Sequence, residues 1–142
     1  MDFGIAGKRA LVTGGSRGLG RATCLALARE GVNTWVAYRD DARAADEVLE
    51  AIAGLSGPRA GKTAAELSSA EDIARMFDEA ETGLGGPVEI LINNGAICPR
   101  GRVADTSLEI WNEALAVNLT GTFLCCREMA RRLGATGWGR IV

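Results

Sequence analysis

Glycine and small polar residues are concentrated in the stretch TGGSRGLG, residues 13–20, between a β-branched run and a helical pattern. Glycines at such a turn let the backbone approach a pyrophosphate, and the free N–H groups of a helix N-terminus attract an anion. Gly14, Gly18 and Gly20 lack the G-x-G-x-x-G spacing of the general dinucleotide fingerprint, and tight turns also use glycine for structural reasons alone. The position between a strand and a helix nevertheless favours nucleotide binding.

The end of the next β-branched run, AYRD, indicates which nucleotide to expect. Dinucleotide-binding domains place an acid there for the ribose 2′-OH of NAD, or an arginine nearby for the 2′-phosphate of NADP. Here Tyr38 stands at the position of the acid, Arg39 follows it, and Arg17 can reach the same place. Two guanidiniums suit bidentate contacts to a dianion, so NADP(H) is favoured over NAD(H). The alternative is that both are solvated surface charges, with Asp40 partly neutralising Arg39.

The elements that position these residues are strands and helices that alternate along the chain. Hydrophobic periodicity predicts strands at 8–13, 32–38, 62–67 and 88–93. It predicts helices from residue 19 to a stop at Gly31, and at 41–53, 69–82 and 107–133. The stretch ATGWG, 135–139, then turns the chain into a fifth strand, within which the sequence stops. This alternation predicts an α/β fold, a Rossmann-like, three-layer, doubly wound parallel sheet truncated in strand five, with residues 1–142 as one dinucleotide-binding domain.

Composition excludes several other classes of protein. The 142 residues are 47% hydrophobic and 24% charged with a net charge of −2, which disfavours nucleic acid or an anionic membrane as partner. No apolar run is long enough to span a membrane, so a cytoplasmic location is expected. There is no histidine, and no two of the four cysteines have a C-x-x-C spacing, so no metal site is predicted. Cys24, Cys125 and Cys126 fall in apolar helical patterns and are interpreted as reduced core residues.

Three stretches together resemble the short-chain dehydrogenase/reductase family. They are TGGSRGLG, the NNGA at 93–96 and WNEALAVNLTGTFL at 111–124, and the likeness runs in order along the whole chain. The 3-oxoacyl-acyl-carrier-protein reductases, which use NADPH, are the most similar variety. The resemblance implies an NADP(H)-dependent oxidoreductase that reduces a small-molecule carbonyl compound to an alcohol, and it implies a homo-oligomer.

The resemblance also assigns roles to individual residues. Asn118 matches a catalytic asparagine that supports a proton-relay water, although it could equally close a local irregularity of the helix. Glu66 stands where the family has an aspartate that accepts a hydrogen bond from the adenine amino group. The expected cofactor-binding residues are Gly14, Ser16, Arg17, Gly18, Leu19, Gly20, Tyr38, Arg39, Glu66, Leu67, Asn94, Gly95 and Ala96.

The chain departs from the family pattern N-N-A-G, because Gly95 precedes Ala96. If the backbone φ at residue 96 had to be positive, Ala96 would cost about 1 kcal/mol or more.

A second departure concerns the catalytic Ser and the Y-x-x-x-K motif, which in the family follow strand five. The only tyrosine here is Tyr38, and the only lysines are Lys8 and Lys62. The chain alone is therefore expected to be inactive and to supply the cofactor-binding part, with a homo-oligomer or a complementing carboxyl-terminal fragment as partner. The alternatives are a non-catalytic NADP(H)-binding module and an inert truncated fragment.

Overall fold

A computed structural model describes residues 3–133 and 138–142 of the chain. Its strands are β1 (Arg9–Val12), β2 (Asn33–Tyr38), β3 (Ala60–Ala64), β4 (Ile90–Ile92) and β5 (Arg140–Ile141). They form one sheet in the order β3-β2-β1-β4-β5, and every neighbouring pair is parallel. The strand order therefore reverses at β1, between β2 and β4.

The helices follow the strands as βαβ connections require. They are α1 (Gly18–Arg29), α2 (Ala42–Ala53), α3 (Ala70–Leu84), α4 (Leu108–Leu115) and α5 (Thr122–Leu133), with a 3₁₀ turn at Val103–Asp105 and a π-helical segment at Ala116–Gly121. Helices α2, α3 and α4 have side-chain N-caps. The side chains of Asp41, Ser69 and Ser107 each accept a hydrogen bond from a backbone N–H of the first turn.

Two hydrophobic clusters lie on opposite faces of the sheet. Helices α1 and α2 pack on one face, where Val12 and Val36 meet Cys24, Val48 and Ile52. Helices α3 and α5 pack on the other face, in a cluster that includes Leu11, Leu91, Ile73, Phe77, Leu124 and Met129. This three-layer arrangement confirms the predicted doubly wound α/β fold.

The prediction of a strand at 62–67 was wrong at both ends. β3 begins at Ala60, where the ladder with Thr34 of β2 starts, and the strand ends at Ala64. The backbone N–H of Glu66 leaves the ladder because it donates to Oδ2 of Asp72, at 2.9 Å. A carboxylate of the next helix thus ends the strand early.

Two predicted helices also differ from those observed. The stretch 107–133 was expected to be one helix, but the π-helical segment at Ala116–Gly121 divides it. Helix α3 continues past residue 82 to Leu84, and its C-cap is Gly85, which has a φ of +77°. Gly83 is kept in this helix by packing, because a Cβ there would lie 2.2 Å from Cζ3 of Trp35.

The Trp35 indole occupies a slot between β3 and α3. A Cβ added to Gly61 would lie 2.0 Å from Cζ3 of the same ring, so both walls of the slot are bare backbone. The indole Nε1 donates to Oγ1 of Thr63 at 2.8 Å, and that hydroxyl donates to Oε2 of Glu79 at 2.6 Å. The partly buried N–H of this ring therefore has a hydrogen-bond acceptor.

Burial supports the interpretation of the cysteines as core residues. Cys24 and Cys125 are buried, and that burial raises the pKa of each thiol to about 12. Cys126 is partly buried against the same cluster as Cys125, whereas Cys98 is exposed. The first two thiols therefore stay protonated in the physiological range and act as small apolar side chains.

One face of α4, the π-helical segment and α5 is apolar and exposed. We call it the apolar stripe: Trp111, Leu115, Leu119 and Phe123. The same stretch turns Val117, Leu124 and Met129 toward the core. The four side chains of the stripe are 37–65% exposed, and the Arg127 guanidinium lies 5.5 Å from the centre of the Phe123 ring.

Two further expectations concern the turn at 135–139 and the location of the chain in the cell. The predicted turn at 135–139 falls largely on residues 134–137, which lie outside the described residues. Across residues 3–133 and 138–142, no helix is long and apolar enough to cross a membrane. The cytoplasmic location stays a prediction.

Candidate nucleotide-binding site

A cleft of about 530 Å³ opens at the carboxyl ends of the strands, where the strand order reverses. This is the usual place for a ligand in an open α/β sheet, and the volume is typical of a cofactor pocket. Ten of the predicted site residues line it: Gly14, Ser16, Arg17, Tyr38, Arg39, Glu66, Leu67, Asn94, Gly95 and Ala96. Other lining residues were not predicted, among them Thr13, Asp40, Asp41, Ile97, Glu113 and Val117.

The glycine turn brings bare backbone to the N-terminus of α1. Gly14 has a φ of +62°, and a Cβ there would lie 2.9 Å from Nδ2 of Asn94. Gly18 opens the helix with a φ of +54°. A turn of this kind presents backbone N–H groups and the positive end of a helix dipole to an anion.

Three predicted residues of the glycine turn do not line the cleft. Gly18 is at the helix start, and Leu19 is 76% exposed there. Gly20 is buried against the turn itself, because a Cβ at this position would lie 2.2 Å from the carbonyl oxygen of Gly14. In this structure Gly20 therefore allows the helix to approach the turn, and its predicted contact with a cofactor is untested.

Thr13 and Asn94 hold the two strand ends together. The Thr13 hydroxyl, almost fully buried, accepts hydrogen bonds from the backbone N–H groups of Asn94 (3.1 Å) and Gly95 (2.9 Å). In return, Nδ2 of Asn94 donates to the carbonyl oxygens of Thr13 (3.0 Å) and Gly14 (3.1 Å). Thr13 was missed as a site residue, and the available signal was a hydroxyl directly after β1, at the start of the glycine turn.

The order Gly95-Ala96 causes no backbone strain. In the described part of the chain Ser56 is the one non-glycine residue with a positive φ, so the penalty considered for Ala96 does not arise. Ala96 is exposed, whereas a Cβ at Gly95 would lie 2.7 Å from Cδ1 of Leu67 and 3.2 Å from Cβ of Thr13. Leu67 thus fills the space that a side chain at residue 95 would need.

At the β2 end of the cleft, charged side chains surround Tyr38. Nε of Arg39 contacts Oδ2 of Asp40 at 2.6 Å, and this hydrogen bond, with the charge of Asp40, raises the pKa of Arg39. Nζ of Lys62 lies 5.6 Å from the centre of the Tyr38 ring and pairs with Asp46 at 2.6 Å. An anionic group bound here would meet the Arg39 guanidinium together with its acidic neighbour.

Glu66 is fixed at the β3 end of the cleft by its backbone and its side chain. Its N–H donates to Asp72, and this hydrogen bond contributes most to lowering the pKa of that carboxyl. Oε1 of Glu66 accepts from the backbone N–H of Ser68 at 3.3 Å. The carboxylate is therefore drawn back onto its own loop, which offsets the extra methylene relative to an aspartate.

Asn118 lies in the π-helical segment and contacts the loop after β4. Its Oδ1 accepts from the N–H of Ile97 at 2.9 Å, and its Nδ2 donates to the Ile97 carbonyl at 2.8 Å. The residue does not line the cleft, although Ile97 does. The local helix irregularity weighed from the sequence is present, and the proton-relay role of Asn118 stays a prediction.

The chemistry of these groups fits a phosphorylated dinucleotide. Gly14 lines the cleft without a side chain, which suits a pyrophosphate that approaches the backbone closely. Arg17, Arg39 and Glu66 line the cleft. A guanidinium can donate hydrogen bonds to a phosphate, and a carboxylate can accept one from an exocyclic amine. Within the described residues, no three side chains of the types His, Cys, Asp and Glu come close enough to hold a metal ion.

Comparison with known proteins agrees with this geometry. The chain is 40% identical to the NADPH-dependent aldehyde reductase-like protein, chloroplastic, of Arabidopsis thaliana, over 97% of this chain and 55% of that protein. It is 38% identical to the 3-oxoacyl-[acyl-carrier-protein] reductase of Aquifex aeolicus, over 100% of this chain and 56% of that protein. A crystal structure of a short chain dehydrogenase from Burkholderia cenocepacia in complex with NADP matches with a TM-score of 0.89 and 34% identity, over 96% of this chain and 54% of that one.

The chain spans about half the length of the curated relatives it matches. The family model of the short chain dehydrogenases matches residues 8–142, which is nearly the whole chain. This match includes the glycine turn, the four strand ends that form the cleft and the π-helical segment. The chain belongs to the short chain dehydrogenase family.

Proposed function

We propose that this chain is the NADP(H)-binding part of an oxidoreductase that reduces a small carbonyl compound to an alcohol. The observation that carries the proposal is the cleft at the strand-order reversal, which is lined by the bare backbone of Gly14 after β1 and by Arg39 after β2. A polyanionic cofactor needs both features, because one receives the pyrophosphate and the other the additional phosphate.

Each end of the cleft has a separate task in this proposal. The glycine turn and the N-terminus of α1 hold the pyrophosphate, Arg17 and Arg39 hold the 2′-phosphate, and Glu66 accepts from the adenine amino group. When bound, the reduced nicotinamide would supply the hydride for the carbonyl carbon. The reciprocal hydrogen bonds of Thr13 and Asn94 keep the two central loops at a fixed separation, which preserves the orientation of the cofactor.

The relatives support the cofactor and the reaction class. One is named as an NADPH-dependent aldehyde reductase-like protein, another as a 3-oxoacyl-[acyl-carrier-protein] reductase, and a similar crystal structure contains NADP. Both named reactions reduce a carbonyl group, although the carbonyl compounds differ widely. We therefore propose the reaction class and leave the individual substrate open.

We do not expect the 142-residue chain alone to reduce a carbonyl compound. Its single tyrosine, Tyr38, lies at the β2 end of the cleft beside Lys62. Loss of a positioned proton donor costs about 10²–10⁴-fold in rate. NADPH oxidation that depends on an added aldehyde or ketone, measured with the pure chain, would contradict this expectation.

A titration with NADPH and NADH tests the proposal directly. The wild-type chain is expected to bind NADPH more tightly, and Arg39→Gln is expected to weaken NADPH binding while changing NADH binding little. Arg102→Gln is the matched control, because Arg102 is also exposed and paired with an aspartate at 2.6 Å, but lies outside the cleft. Failure of the wild-type chain to bind either nucleotide would overturn the proposal.

A further inference from the structure

We infer that Asp40 is a specificity-determining residue of the cleft, because its carboxylate occupies the Arg39 guanidinium that a 2′-phosphate must contact. The preference of this chain for NADP(H) over NAD(H) is accordingly smaller than its two cleft arginines would give without this acid. The inference rests on the proposed function, since it concerns how the same cleft discriminates between the two cofactors.

The contact itself is short and lies within the cleft. Nε of Arg39 is 2.6 Å from Oδ2 of Asp40, and both residues line the cavity. The side chains are 50% and 71% exposed, so neither is locked by packing and the guanidinium can exchange one anionic partner for another. A 2′-phosphate therefore competes with a carboxylate that is already in place.

The other carboxylates around the cleft do not make this contact. Asp41 caps α2 by accepting from the N–H of Ala44, and Glu66 accepts from the N–H of Ser68. Glu66 and Glu113 act on Arg39 through charge only, whereas Asp40 acts through a hydrogen bond and charge together. Asp40 is thus the acid whose removal frees the guanidinium.

Removal of Asp40 should change the binding affinities for the two cofactors in different directions. A 2′-phosphate gains an unpaired guanidinium and loses a like-charge neighbour. A ribose 2′-OH carries no charge and gains nothing from either change. It can donate a hydrogen bond to a carboxylate, and that acceptor is lost with Asp40. The ratio of the two affinities should therefore shift toward the phosphorylated nucleotide.

The test compares adenosine 2′,5′-bisphosphate with adenosine 5′-phosphate by calorimetric titration, because the two differ only in the 2′-phosphate. Asp40→Asn is expected to raise the affinity ratio in favour of the bisphosphate by about threefold to tenfold, the range for loss of an exposed charge pair and one repulsion. Asp105→Asn is the matched control: it removes the same charge from an Arg–Asp pair of the same length outside the cleft. In an Arg39→Gln background, Asp40→Asn is expected to give a clearly smaller gain.

Several results would overturn the inference. An unchanged or lower ratio in Asp40→Asn would mean that Asp40 orients Arg39 for the phosphate instead of competing with it. Equal gains in Asp40→Asn and Asp105→Asn would mean that only net charge matters. Binding of neither nucleotide to any variant would overturn the proposed function and this inference together, whereas binding with an unchanged ratio overturns the inference alone.

Discussion

The side-chain amide of Asn118 forms a reciprocal pair of hydrogen bonds with the backbone of Ile97, at 2.9 Å and 2.8 Å. This pair joins the π-helical segment to the loop that follows β4. Ile97 has left the sheet ladder at this point, so the amide supplies the pairing that a neighbouring strand would otherwise give. The wall of the cleft at residues 97–99 is thereby positioned by a helix.

Replacement of Asn118 should loosen that wall. Asn118→Ala removes both hydrogen bonds and is expected to lower the free energy of unfolding by about 1 kcal/mol, since the residue is exposed and water can replace part of the loss. The backbone amide of Ile97 should also exchange its hydrogen faster than in the wild-type chain. A general loss of stability would speed up exchange in other parts of the chain as well. Asn112→Ala, on the exposed side of α4, is the control, and an equal effect there would contradict the prediction.

A side chain at residue 95 should be accepted only if Leu67 becomes smaller. Gly95→Ala places a Cβ 2.7 Å from Cδ1 of Leu67 and is expected to cost about 1–3 kcal/mol of stability. Urea unfolding of Gly95→Ala combined with Leu67→Val should show a smaller cost than the sum of the single changes. Ala96→Gly, at the exposed neighbouring position, should cost no more than about 1 kcal/mol. Additive costs at 95 and 67 would contradict the steric account.

Glu79 should make stability depend on pH on the acid side. The hydrogen bond from Thr63, opposed by partial burial and assisted by Arg75, lowers the pKa of this carboxyl below its ordinary value of 4.5. A carboxyl with a lowered pKa in the folded state contributes stability above its unfolded-state pKa and loses it as pH falls through the folded-state value.

The free energy of unfolding is therefore expected to fall between roughly pH 5 and pH 3, and to fall less in Glu79→Gln. Thr63→Ser keeps the donor hydroxyl and should keep the pH dependence of the wild-type chain. Chemical unfolding at several pH values measures the difference, and identical profiles for wild type and Glu79→Gln would show that the prediction is wrong.

The apolar stripe should promote self-association, in line with the expected oligomer. Leu119 and Phe123 are 65% and 57% exposed, and contiguous exposed apolar surface favours contact with other molecules. Leu119→Glu combined with Phe123→Glu is expected to reduce association in sedimentation velocity at micromolar concentration. Val103→Glu is the control for an added charge, because Val103 is 94% exposed and lies outside the stripe. A wild-type chain that stays monomeric at every concentration would contradict this expectation.

The order of the elements and the place of the cleft could be predicted from sequence because both follow from local patterns. Short β-branched runs that alternate with helical runs allow essentially one pairing, a parallel sheet with right-handed crossovers. The residues just after each strand must then meet at one edge. Gly14, Arg39, Glu66 and Asn94 were found there for that reason.

The features that were missed depend on contacts between residues distant in sequence or on small changes of helical pitch. The early end of β3 follows from the bond between Glu66 and Asp72, and the persistence of α3 through Gly83 follows from Trp35. The π-helical segment carries the same apolar periodicity as an α-helix, so its sequence does not distinguish the two. Thr13 was missed because its importance arises only when β4 lies beside β1.

The slot that holds the Trp35 indole has a consequence for how this sequence can diverge. A Cβ added to Gly61 or to Gly83 would lie 2.0 Å or 2.2 Å, respectively, from Cζ3 of Trp35. Neither glycine can therefore gain a side chain while the indole remains. A smaller residue at 35 would release both glycines at once but would strand the Thr63 hydroxyl without its donor. Neutral drift at these three positions is therefore concerted, and homologous sequences should change them as a set rather than one at a time.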